Sequence, residues 1–155
     1  MKKVLLILAC GIATQLSYAQ ATPKWADKAK KAVFSIVTYD KDNKIKNTGN
    51  GFYINENGTA LSDYTLFEGA ERAVIINADS KELPVLRILG ANSMYDIVKF
   101  NTEADKKTIA LKSASQPASV GETVYLLPYS TQKAATCQTG TVTKVDTIGD
   151  HAYYY

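Results

Sequence analysis

Histidine and cysteine are almost absent from this chain. Its 155 residues include one histidine, His151, and two cysteines, Cys10 and Cys137. So few soft ligands fall short of a zinc site, so neither a metal nor a cofactor is expected. A dominant charge is lacking too: 18 basic residues against 15 acidic leave +3. That balance argues against nucleic acid as a partner. No phosphate loop is present. The glycines of "GNGFYINENG" lack the Gly-Lys-Ser/Thr ending and open no helix. Gly49 and Gly51 therefore read as backbone devices for a tight strand. There is no internal repeat and no heptad, and the longest apolar run, "VLLILACGIATQL", is short for a bilayer span.

That run has another reading. Lys2 and Lys3 precede it, and Ser17-Tyr18-Ala19 follows it as a small-x-small cleavage pattern. Residues 1–19 are expected to be a signal peptide cut before Gln20. The protein would then be exported, to the periplasm or beyond, with no stable membrane anchor after cleavage. A retained anchor and a lipid-modified Cys10 are the competing readings. Only the six apolar residues "VLLILA" would precede a cut at Cys10. Removal of Lys2 and Lys3 lowers the charge from +3 to +1, which leaves no bulk attraction to anionic lipid. Cys137 would remain as the single cysteine, so no intrachain disulfide forms. It reads as a strand cysteine rather than a nucleophile, since no base is evident beside it.

The remainder is punctuated as a β protein. Residues 20–31 predict a short helix, with Thr22 as N-cap, Pro23 in the first turn, and Trp25, Ala29 and Ala32 along one face. Then "AVFSIVTYD", "GNGFYI", "TALSDY", "RAVIINA", "LPVLRILG" and "DIVKF" alternate with polar turns, and Asn57-Gly58 predicts a two-residue hairpin. Residues 102–120 read as a connection with a brief extended piece at "TIALK". Strand patterns resume at "ETVYLLPYS" and "TCQTGTVTKVD", and "HAYYY" begins another. Short strands at this spacing predict an all-β sandwich or barrel.

The ordered segments "TGNGFYINENGTALSDYTLFEGA", "YDIVKF", "VGETVYLLPY" and "TGTVTKV" together resemble a trypsin-like serine peptidase domain of the bacterial HtrA type. The resemblance covers roughly residues 28–150 and implies a double β-barrel. The first barrel would occupy residues 32–101, the linker 102–120, and the start of a second, truncated barrel 121–155.

The same resemblance implies a site. In that family a serine attacks, a histidine takes its proton and an aspartate orients the histidine. Asp96 stands where the aspartate is expected. Thr65, in "SDYTLFEGA", stands in the histidine position. A threonine hydroxyl has no basic form near neutral pH and cannot be the general base. Losing that base lowers turnover by about 10⁶ in a related hydrolase. Thr65 on its own reads as a β-compatible residue packed at a strand end, and Asp96 as a solvated residue before a strand. His151 reads as a surface residue, and no nucleophile motif Gly-x-Ser-Gly is present. Two functions remain open. One is a peptidase-fold protein without activity that binds a peptide or protein partner or supports a following module. The other is an active serine endopeptidase whose serine lies beyond residue 155. Oligomeric state is not legible.

Overall fold

The computed structural model describes residues 23–104, 108–127, 129, 137–148 and 151–154. The expected signal peptide lies outside them, as does Thr22, the expected helix cap. Helix α1 (Ala26–Lys30) begins later than the sequence suggests, with Trp25 at the N-cap and no side-chain capping bond. Its buried face is made of Ala26 and Ala29. Trp25, expected on that face, is 49% exposed and meets Tyr125 edge-on at 5.0 Å. A five-residue helix is too short to turn an indole and both alanines to one core.

Six strands follow: β1 (Val33–Tyr39), β2 (Ile45–Tyr53), β3 (Thr59–Ser62), β4 (Arg72–Ile76), β5 (Glu82–Asn92) and β6 (Ile97–Thr102). They close a barrel in the order β1-β2-β3-β6-β5-β4, with every neighbouring pair antiparallel. β1 is buried along nearly its whole length, with all of Val33–Thr38 buried. Phe34, Ile36, Tyr53, Ala60, Ile75, Leu83, Val98 and Phe100 fill the barrel. Phe34 packs edge-on against Tyr53 at 4.8 Å and Phe100 at 6.2 Å. Such a cluster combines large burial with favourable ring geometry. Register shifts in β5, between Val85 and Arg87 and between Ile88 and Gly90, bend its long strand around β6.

Gly51 has a definite packing reason. A Cβ there would lie 2.5 Å from the Phe34 ring and 2.8 Å from the Leu61 carbonyl oxygen. The β2–β3 connection is longer than the two-residue hairpin expected from Asn57-Gly58. It spans the residues between Tyr53 and Thr59, and only Gly58 has positive φ, at 81°. Asn55 organises this loop: its Oδ1 accepts from the Asn57 and Thr59 amides, both at 3.0 Å. An Asx side chain has thus replaced the expected backbone turn.

Beyond β6, residues 108–112, expected as an extended piece, form no strand. The Leu111 amide still donates to the Tyr53 carbonyl at 2.9 Å, which ties the connection to the barrel. β7 (Thr123–Leu126) pairs with β8 (Gln138–Thr141), and β9 (Val145–Ile148) with β10 (His151–Tyr154), as two two-stranded sheets. Cys137 is a half-buried free thiol one residue before β8. His151 opens β10.

Candidate functional site

Thr65 is not packed at a strand end. It is exposed, in a single 3₁₀ turn (Tyr64–Leu66) that follows β3. The turn is held on both sides of it. Tyr64 and Phe67 pack against the barrel core. Leu66 lies over Gly49, where a Cβ would come within 2.3 Å of its Cδ1. Asn47 Nδ2 donates to the Leu66 carbonyl at 3.2 Å. The neighbours of Thr65 on both sides are anchored, and Thr65 itself stays exposed.

Asp96 arrives from the other direction. It ends the tight turn between β5 and β6 and has φ +51°. Aspartate tolerates this left-handed conformation better than most residues. Asn92 Oδ1 shapes the turn by accepting from the Met94 amide at 3.0 Å and the Tyr95 amide at 3.1 Å. The Tyr64 amide donates to the Asp96 carbonyl at 3.1 Å.

The two residues, 31 apart in sequence, meet in space. The Thr65 hydroxyl donates to Asp96 Oδ1 at 2.6 Å, and the Thr65 amide donates to the same oxygen at 2.7 Å. The hydroxyl bond, then the amide bond, hold the Asp96 carboxyl below its ordinary value of 3.8. Asp96 is therefore engaged rather than simply solvated. A carboxylate made less basic is a poorer proton acceptor near neutral pH, and the threonine proton is already committed to it. The pair can clasp two loops together and present a fixed negative charge. It has no group that shuttles a proton at neutral pH.

Next to this clasp, a cavity of about 460 Å³ opens against the outer side of β2 and β3. Phe52, Leu61, Ile97, Leu111, Tyr125 and Leu127 supply most of its apolar lining, and Ser62 and Asp63, which precede the 3₁₀ turn of Thr65, also line it. The sequence pointed to none of Phe52, Leu61, Ile97, Leu111 and Tyr125, because they come from β2, β3, β6, the connection after it and β7. Among the described residues no group of three or more His, Cys, Asp or Glu gathers to hold a metal ion.

No protein-family model matches the sequence, and no curated protein matches it. Solved structures do. One is the crystal structure of the serine endoprotease from Yersinia pestis, with a TM-score of 0.66 and 16% identity. The fold is trypsin-like. The match covers 77% of this chain and 43% of the endoprotease chain, so this chain spans less than half the length of that neighbour. At 16% identity the likeness carries the fold expected from the sequence, and nothing about chemistry.

Proposed function

We propose that this chain carries an exported trypsin-like fold that lacks peptidase chemistry and binds an extended peptide or protein segment. The observation that carries the reading is the Thr65–Asp96 pair. If the trypsin-like correspondence drawn from the sequence holds residue by residue, Asp96 is the triad aspartate, and its partner is a threonine hydroxyl at 2.6 Å instead of an imidazole. A hydroxyl cannot take the nucleophile's proton and return it to the leaving amine. Removing the base in a related hydrolase corresponds to about 8 kcal/mol of barrier. Binding makes no such demand. It needs strand edges and apolar pockets, and the cavity beside Ser62 and Asp63 has room for an apolar side chain. Export follows from the amino-terminal pattern at Ser17-Tyr18-Ala19.

The test uses the protein and its Thr65→His variant, each incubated with unfolded protein substrates and a serine-directed phosphonate. The wild type is expected to leave both untouched. Wild-type cleavage at a rate comparable to the variant's would overturn the reading and favour an active endopeptidase.

A further inference from the structure

The chain holds two Asn-Gly dipeptides, Asn50-Gly51 and Asn57-Gly58. Both asparagines are exposed and both glycines are buried. Their backbones are held differently. Gly51 lies inside β2, opposite Phe34 of β1. Two residues on, the Tyr53 amide donates to the Ala32 carbonyl at 2.9 Å. Bonded pairs alternate along an antiparallel ladder, so Gly51 and Phe34 form the next bonded pair. The amide nitrogen of Gly51 is therefore committed to the ladder.

Gly58 lies in the loop between β2 and β3. Asn55 Oδ1 accepts from the amides on both sides of it, Asn57 and Thr59, and passes over the one between. The Gly58 carbonyl accepts from the Thr102 amide at 3.0 Å. Its own amide has no hydrogen-bond partner among the described residues, and neither has the Asn57 side chain. The fold also demands glycine here. Its φ is +81°, and a Cβ would strike the Thr102 carbonyl oxygen. An exposed asparagine is thus followed by the residue that shields its own amide nitrogen least, and that nitrogen is unbonded.

We propose that Asn57 is a site of spontaneous deamidation, with water as the co-reactant, and that the ladder protects Asn50 from the same reaction. The Gly58 amide nitrogen gives its proton to solvent base and attacks Asn57 Cγ. The new N–Cγ bond closes a five-membered imide. The Cγ–Nδ2 bond breaks, and Nδ2 takes up a proton and leaves as ammonia. Water then opens the ring at either carbonyl, giving aspartate or isoaspartate. One water enters, one ammonia leaves, and nothing is oxidised or reduced. The product carries a new negative charge beside Glu56. At Asn50 the attacking nitrogen must first leave its bond to β1, which requires the barrel to open there. At Asn57 that nitrogen has no hydrogen bond to break. The reaction involves neither Thr65 nor Asp96, so it stands or falls separately from the peptidase-fold reading.

The test ages the full chain in warm, mildly alkaline buffer, folded and in urea. Mass spectrometry of proteolytic fragments follows the amide-to-acid mass gain, and fragment ions separate Asn50 from Asn57. In the folded chain Asn57 is expected to convert at least about tenfold faster than Asn50, the effect of about 1.4 kcal/mol of local opening free energy. In urea the ladder bond is gone and glycine follows both asparagines, so the two rates should converge. Asn57→Gln would have to close a larger ring and should stop the conversion at that position. The Asn57 side chain is exposed and bonds to nothing among the described residues, so this variant should melt with the wild type. Equal rates at the two sites in the folded chain would overturn the proposal. So would a rate at Asn57 that rises about tenfold on unfolding, since the fold would then protect it as well. Persistence of the same mass gain at position 57 in Asn57→Gln would also overturn it.

Discussion

Three glycines of the barrel should respond very differently to the same added methyl group. Gly51→Ala puts a carbon 2.5 Å from Phe34 Cε2 and 2.8 Å from the Leu61 carbonyl oxygen. Comfortable carbon contacts are about 3.5–4.0 Å, so the Phe34 ring must retreat by about 1 Å. It cannot do so freely, because Tyr53 and Phe100 pack on its other sides. The Leu61 oxygen is backbone, fixed where Phe52 pairs with Leu61. Overpacking of this kind destabilises by about 1–3 kcal/mol, and Gly51→Ala should fall in the upper half of that range. The three atoms nearest a Cβ at Gly49 all belong to the Leu66 side chain, with Cδ1 at 2.3 Å. A leucine methyl can rotate away, so the effect of Gly49→Ala should be smaller. Yet Leu66 is the residue after Thr65, and its movement should disturb the bonds between Thr65 and Asp96. Gly90→Ala meets nothing within 4 Å and its φ is not positive. That substitution should be neutral, or stabilise by about 0.4–1 kcal/mol through the unfolded chain. Urea unfolding of the three variants, followed by near-ultraviolet circular dichroism, gives the order directly. For a barrel of this size each kcal/mol is also about 4–8 °C in melting temperature. If Gly51→Ala were as stable as Gly90→Ala, the close approach of β2 to Phe34 would be wrong.

Other outcomes follow from the clasp and the amino terminus. Thr65→Val removes the hydroxyl donor and keeps the amide, so the Asp96 carboxyl should titrate at higher pH than in the wild type. It should stay below 3.8, because the Thr65 and Tyr64 backbone bonds remain; carboxyl ¹³C titration measures this, and an unchanged curve contradicts the bond. Because Asp96 is depressed in the folded chain, the stability it contributes is complete above 3.8 and is lost as pH falls through its lower native value. The stability difference between the wild type and Thr65→Val should therefore be full above 3.8 and shrink as pH falls through the native value, and a difference confined to the acid side would contradict the assignment. Amino-terminal sequencing of the exported protein should find Gln20, and a lipid-modified Cys10 at the terminus would refute the cleavage assignment.

The strands were legible from short-range pattern. "AVFSIV", "RAVII" and "DIVKF" carry β-branched and aromatic residues between polar turns, and β1, β4 and β6 occupy those stretches. The glycines of β2 announced close packing, because a residue without a side chain inside a strand usually has a neighbour in that space. Hairpin geometry was less legible. Asn57-Gly58 carries the dipeptide signal, but the Asn55 side chain competes for the same amides and wins, a contest that propensity alone does not resolve. Trp25 was misplaced for a similar reason: helical spacing says which residues share a face, and not whether the helix lasts long enough to bury that face.

The candidate site divides along the same line. The chain alone established that Thr65 is no base and that Asp96 precedes a strand, since these are properties of residue type and neighbours. Tertiary structure decided that their oxygens lie 2.6 Å apart, that Thr65 stands exposed in a 3₁₀ turn, and that the Arg72 guanidinium stacks on the Tyr39 ring. Each of those facts depends on barrel closure, which joins β1 to β4 and β3 to β6. Closure is a cooperative result of filling one core. It brings together residues whose separation along the chain holds no record of their distance in space.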